Sequence, residues 1–202
     1  LNEQVVLLIY YEKMTEIMGQ MKNAEFELLF VDDGSTDNTL KLLRTLSGKD
    51  ERYRYLSFSR NFGKEAAMFA GMEHAQGEYI VIMDVDLQDP PELLPVMYEE
   101  LEKGQYDCVA ARRVDRMGEK KIRSFFSSIF YKILNRISKV PMVEGARDFR
   151  MMKRKVADAV LHMKEYNRFS KGMFSWVGYW DFLRCHCQFL LMGGSFSVES
   201  LF

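Results

Sequence analysis

Residues 79–91, YIVIMDVDLQDPP, crowd Asp84, Asp86, Gln88 and Asp89 just beyond a short apolar run. Carboxylates held this close repel one another unless a cation sits between them. A hard divalent ion, Mg²⁺ or Mn²⁺, does this with oxygen ligands and keeps open positions for phosphate oxygens. Asp84 and Asp86 stand at i and i+2, so on an extended backbone they point to opposite sides. Both reach one ion only if the chain turns between them, and Pro90 and Pro91 favour such a turn. The bland alternative is a polar loop whose acids cap the next helix.

A second acidic stretch, Asp32-Asp33-Gly34-Ser35, also follows an apolar run. A carboxylate here can accept hydrogen bonds from a ribose hydroxyl or a base imide N–H. Gly34 permits a turn that side chains oppose, and Ser35 is placed to cap a helix. Arg60 and Lys64 after the next apolar run could neutralise phosphate, as could Arg112 and Arg113 after a later one, and Arg123 with Ser127. Arginine suits phosphate through its planar fork of donors, although each of these taken singly is equally a surface charge. Asp148, within Gly145-Ala146-Arg147-Asp148-Phe149-Arg150, could act as a general base, or could simply pair with Arg147 or Arg150.

These side chains need elements to hold them. Residues 4–21 carry a helical pattern through Val5, Leu8, Ile9, Glu12 and Ile17. Strands are predicted at 26–31, 53–58, 79–83 and 106–111, with helices beginning near Leu40 and spanning 65–75 and 91–103. Strands alternating with helices imply βαβ units and a mostly parallel sheet, whose ligands bind beyond the strands' carboxyl ends. Both acidic stretches should therefore face one crevice. Residues 120–139, KKIRSFFSSIFYKILNRISK, form a basic amphipathic helix, suited either to a membrane interface or to packing on its own sheet.

With 202 residues and 48% hydrophobic content, the chain can bury one sizeable core. Its 28 basic and 29 acidic residues nearly cancel, so no net field points to nucleic acid. No apolar run is long enough to span a membrane. Cys108, Cys185 and Cys187 make no disulfide framework and suit a cytosolic interior; Cys185-His186-Cys187 packs its ligands too closely to surround a tetrahedral zinc.

FVDDGSTDNT, SRNFGKEAA, DVDLQDPPE and GARDFRMMKR, in this order, resemble the inverting glycosyltransferases of family 2, and within them the polyprenyl-phosphate group related to dolichol-phosphate mannose synthase. The resemblance covers about residues 1–180 and implies a GT-A catalytic domain, an α/β fold of Rossmann-like type, leaving 181–202 as a divergent tail. It implies that Glu3, Asp32, Asp33, Lys64 and Asp84 help hold the donor nucleotide. Asp84, Asp86 and Gln88 would hold Mg²⁺ or Mn²⁺, with Asp86 and Asp148 as catalytic residues, Asp148 being the base or an acceptor-site acid. Arg112, Arg123 and Ser127 would match the acceptor-phosphate positions. The implied partners are a nucleotide sugar (UDP-glucose, UDP-N-acetylglucosamine or GDP-mannose), a polyprenyl phosphate and the inner face of the cell membrane, with room for a homo-oligomer. Relatives begin with a central strand ending in a Pro-x-x-Asn-Glu motif, whereas this chain opens at Leu1-Asn2-Glu3, so that strand is expected to be missing.

Two other readings use the same residues. A haloacid dehalogenase-type phosphatase also has Asp-x-Asp after a strand, but expects Thr or Val where Gln88 stands and leaves Asp32-Asp33 unexplained. A nucleotide-binding fragment without turnover is the other.

Overall fold

Strands β1 (Leu28–Asp32) and β2 (Tyr53–Ser57) pair in parallel, with Leu28 opposite Tyr53 and Asp32 opposite Ser57. A parallel neighbour requires a crossover, which α2 (Thr39–Ser47) supplies while burying Leu43 and Leu46. Helix α1 (Gln4–Gln20) precedes this unit. Helix α3 (Lys64–His74) then leads to β3 (Tyr79–Ile82). A 3₁₀ turn at Pro91–Leu93 runs into α4 (Leu94–Glu102), and β4 (Cys108–Arg112) follows. The computed structural model describes residues 3–112, 146–163, 173–174 and 186–188, which adds β5 (Ala146–Lys153), α5 (Arg154–Leu161) and a short β6 (His186–Gln188). The helix expected over 120–139 lies outside the described residues.

The expected alternation of strand and helix is present through β4. Strand directions are mixed: β1–β2 and β4–β6 are parallel, while β5 runs antiparallel between β3 and β4. The described strands form a pair, β1–β2, and a four-stranded sheet in the order β3-β5-β4-β6.

Strand alternation separates two cores. On β5, Phe149 and Met151 point into one, with Val109, Ala111, Leu28, Phe30 and the buried sides of α1, α2 and α4. Met152 points to the opposite face, joining Cys108, Ile80, Ile82, Met72 and Val156, Ala157 and Val160 of α5. Helices thus cover both faces of the sheet, as an α/β arrangement requires.

Helix α1 lies where the sequence predicts a helix, but its buried stripe is not the set of residues that marked the pattern. It buries Leu7, Tyr10, Met14, Ile17 and Met18, whereas Val5 and Ile9 stand 77% and 54% exposed and Leu8 is exposed as well. Apolar residues lie all round this helix, so periodicity alone could not choose the inward stripe. No described helix is long and apolar enough to cross a membrane.

Between β1 and β3 the sheet is interrupted by a cavity of about 990 Å³ lined by every residue of both strands. Its middle is apolar. Both ends carry charge: Asp32, Asp33, Lys64, Asp84 and Asp86 beyond the carboxyl termini of β1 and β3, and Glu25, Glu27 and Glu78 at their amino ends.

Candidate active site

Asp32 is the last residue of β1 and is buried. Its Oδ1 accepts the Ser35 amide at 3.1 Å, and its Oδ2 accepts the hydroxyl of Ser57, its register partner on β2, at 3.1 Å. Asp33, also buried, accepts the amides of Phe62 and Gly63 at 2.7 and 2.9 Å. The two aspartates therefore tie the ends of β1 and β2 and the loop before α3 into one unit. Gly34 adopts φ +73°, and a Cβ there would fall 2.5 Å from the Arg60 carbonyl carbon. Glycine is thus required twice, by its backbone angle and by the close approach of the neighbouring loop. The residue at the cap position of α2 is Asn38, not Ser35, and just before it Asp37 Oδ1 receives the Thr39 amide at 2.9 Å, in the manner of an Asx turn.

The loop so clamped delivers Lys64 as the first residue of α3. Its ammonium lies 2.6 Å from Asp84 Oδ2 and 2.8 Å from Asp148 Oδ2. Burial alone would lower the Lys64 pKa; the hydrogen bonds the ammonium donates to Asp148 and Asp84 outweigh it and hold the ammonium above the ordinary lysine value. Asp148 thus pairs with Lys64, beyond the Arg147 or Arg150 partners its sequence neighbourhood suggested. Arg150 contributes differently. Two residues on along the same strand face, it is almost fully buried, donates from Nε to the Asp148 carbonyl at 3.2 Å and lays its guanidinium 4.0 Å from the Phe174 ring centre.

The turn expected after β3 is present. Leu87 takes φ +57°, unusual for a branched side chain, and Asp86 Oδ1 accepts the Gln88 amide at 3.0 Å. Glu3, Asp32, Asp33, Lys64, Asp84 and Asp86 all line the cavity, so both acidic strand ends face one space, whereas Gln88 lies outside its lining. Tyr10 of α1 lies beside them. Burial, then the nearby Asp84 charge, drives its phenol pKa strongly upward, and its hydroxyl donates to Met83 Sδ at 3.3 Å. Arg112 closes β4. Arg113, Arg123 and Ser127 lie outside the described residues.

The site's oxygen donors, Asp84, Asp86 and Gln88, suit a hard cation, and a lysine ammonium already lies against Asp84 as a stand-in positive charge. Among the described residues no three His, Cys, Asp or Glu side chains cluster for a metal by themselves, so further ligands would come from amide, water or substrate oxygens. Sequence reasoning missed Ser57 and Tyr10, named Arg150 only as a possible partner of Asp148, and paired neither Lys64 with Asp148 nor Asp33 with the Phe62–Gly63 amides. The one available signal was parity: Asp148 and Arg150, two apart on a strand, share a face.

Residues 2–161 match the family model described as Glycosyl transferase family 2. The putative glycosyltransferase CsbB of Bacillus subtilis (strain 168) is 46% identical over 155 residues, 77% of this chain and 46% of its own length. The bactoprenol glucosyl transferase of Shigella phage SfV is 40% identical over 177 residues, 88% of this chain and 57% of its own. The chain spans about half the length of the curated relatives it matches. Among solved structures, Staphylococcus aureus TarS superposes with a TM-score of 0.50 at 18% identity, covering 85% of this chain and 52% of that one. Glucosyl-3-phosphoglycerate synthase from Mycobacterium tuberculosis, in complex with Mn²⁺, UDP-glucose and phosphoglyceric acid, superposes with a TM-score of 0.51 at 19% identity, covering 77% and 54%. These structures bear out the α/β, GT-A-like fold. With a family model spanning most of its length and relatives above 40% identity, the chain belongs to glycosyl transferase family 2.

Proposed function

We propose that this chain is the catalytic part of an enzyme that transfers a sugar, with inversion, from a nucleotide sugar to a polyprenyl phosphate at the cytoplasmic face of a membrane. The observation that carries the reading is the meeting of Asp84, just beyond β3, and Asp148, on β5, on the ammonium of Lys64, where Lys64, Asp84, Asp32, Asp33 and Asp86 line the carboxyl end of the cavity. Relatives named bactoprenol glucosyl transferases support glucose as the sugar and bactoprenyl phosphate as the acceptor.

In the reaction, an acceptor phosphate oxygen attacks the sugar's anomeric carbon from the face opposite the diphosphate. The bond from that carbon to the diphosphate oxygen breaks, and the departing nucleoside diphosphate takes the electron pair. The acceptor phosphate is ionised near neutral pH, so its attack needs no base. Asp148, fixed by Lys64 and by the Arg150 contact to its carbonyl, has an orienting role on the acceptor side. Glu3, Asp32 and Asp33 border the nucleotide's share of the cavity. Asp84, Asp86 and Gln88 would hold Mg²⁺ or Mn²⁺, which when bound neutralises charge on the departing diphosphate. By their motif positions, Arg112, Arg123 and Ser127 would bind the acceptor phosphate, and the basic amphipathic stretch 120–139 would rest on the membrane.

The test is a thermal-shift series with UDP-glucose, UDP-N-acetylglucosamine and GDP-mannose, with and without Mn²⁺, alongside transfer of labelled sugar to bactoprenyl phosphate. Stabilisation by one donor only when Mn²⁺ is present, with label passing into the lipid, is the expected result. No stabilisation by any of the three, and no lipid-linked label, would overturn the reading.

A further inference from the structure

Lys64 reaches two carboxylates that belong to separate parts of the chain. Asp84 follows β3 and Asp148 lies on β5, and the ammonium stands 2.6 and 2.8 Å from one oxygen of each. The three side chains are far from equally covered: Lys64 and Asp84 are nearly half exposed, while Asp148 is mostly covered. A long, flexible, half-exposed lysine can leave such a position, whereas the short Asp148 side chain is carried within β5 and cannot follow it. Lys64 is also anchored where movement would be useful. It is the first residue of α3, directly after Gly63, whose φ of +95° and open surroundings leave the joint unencumbered, and whose amide is held by Asp33.

We propose that Lys64 is the resident counter-cation of the Asp84–Asp148 pair, and that divalent metal and nucleoside diphosphate together move its ammonium from these carboxylates to the diphosphate. The inference rests on the metal and donor reading above and deepens it. Without a ligand, the lysine relieves the repulsion between Asp84 and Asp148, so the fold tolerates two acids at one place. A divalent ion seeking Asp84 must compete with the ammonium already there, and metal binding alone is weakened. A diphosphate offers the displaced ammonium a new anionic partner, so that metal and nucleotide each favour the other's binding through one side chain. The site would then assemble only when both are present. No bond is made or broken in this exchange.

The test measures Mn²⁺ binding to the full chain by loss of the free-ion electron paramagnetic resonance signal, with and without UDP, in wild type, Lys64→Met, Lys64→Arg and Arg60→Gln. Two ion pairs to one half-exposed lysine, taken at ordinary surface strength, correspond to roughly fivefold tighter Mn²⁺ binding in Lys64→Met without nucleotide. Lys64→Arg should stay near wild type. Arg60→Gln, which removes a charge from the same loop but lies against the Phe62 ring at 4.5 Å, should change Mn²⁺ affinity far less. With Mn²⁺ saturating, UDP should bind Lys64→Met more weakly than wild type. This opposite movement of metal and nucleotide affinities is something a merely structural lysine would not produce.

Unchanged or weaker Mn²⁺ binding in a folded Lys64→Met protein overturns the proposal, as does a gain matched by Arg60→Gln. Tighter Mn²⁺ with UDP affinity unchanged overturns the transfer to the diphosphate. Mn²⁺ binding in wild type that requires UDP, but is identical in Lys64→Met, removes the lysine's role while leaving the proposed function standing. Mn²⁺ binding to none of the proteins, even with UDP, overturns both.

Discussion

Asp33 holds the amides of Phe62 and Gly63 on its two carboxylate oxygens, at 2.7 and 2.9 Å, and thereby sets where α3 begins and where Lys64 points. An acid drawn from the end of one strand thus builds the loop that follows the next. Asp33→Asn keeps one acceptor oxygen and leaves one of the two amides without its partner. A loss of about 1–3 kcal/mol in unfolding free energy is expected, read from urea denaturation, together with weaker donor binding.

Gly34 and Gly63 both have positive φ but different surroundings. A Cβ at Gly34 meets the Arg60 backbone at 2.5 Å, while one at Gly63 meets nothing within 4 Å. Gly63 combines its φ with a ψ of 158°, a region essentially confined to glycine, so Gly63→Ala should cost the conformational penalty alone, about 1–3 kcal/mol. Gly34→Ala adds a backbone collision to that penalty and should exceed it, by roughly 2 kcal/mol or more. Equal denaturation midpoints for the two variants would contradict the close approach of the Arg60 loop.

Asp86 is exposed and accepts one hydrogen bond, from the Gln88 amide at 3.0 Å. Asparagine retains an acceptor oxygen for that bond but has no charge. Asp86→Asn should leave stability within about 0.5 kcal/mol of wild type while abolishing Mn²⁺-dependent donor binding by calorimetry. Undiminished affinity would remove Asp86 from the metal set.

Asp107 carries a pH dependence remote from the site. Burial acts to raise its pKa, but hydrogen bonds from Lys155 and Lys153, at 2.6 and 3.1 Å, prevail and hold it below the usual carboxylate range. A folded-state pKa below the unfolded one contributes stability above the unfolded value, about 4, and loses it as pH falls through the folded value. Asp107→Asn should accordingly be less stable than wild type from pH 5 to 8 on a urea series, roughly the range where the unfolded acid is also ionised. The difference should shrink as the pH is taken below about 4.

Cys108 is fully buried on β4, and burial pushes its thiol pKa up to about 12. It should resist iodoacetamide in the native protein at mildly alkaline pH and react once urea unfolds the chain, because the thiolate is the reactive form. Peptide mapping by mass spectrometry distinguishes it from Cys185 and Cys187. Native-state labelling of Cys108 would show that β4 opens.

Much of the candidate site was legible in the chain because it is made of strand ends. Apolar runs at β1 and β3 followed abruptly by Asp32-Asp33 and Asp84-x-Asp86 place both acidic pairs at carboxyl ends, where an α/β sheet exposes its ligand side. Gly34 announced a turn, and the motif order announced the family. All of these are local signals, determined by what a few consecutive residues can do.

What the tertiary structure alone decided are relations between distant residues. The inward stripe of α1 was hidden because Val5, Leu8 and Ile9 are as apolar as the Leu7, Tyr10 and Met14 that the sheet covers. The antiparallel course of β5 depends on which strand edges were free to pair, which periodicity does not encode. Lys64 reads in the sequence as a loop charge, and only the packing of β3 beside β5 brings Asp84 and Asp148 to its ammonium. Side-chain chemistry is written residue by residue, but an ion pair across the sheet exists only once register and strand order are settled.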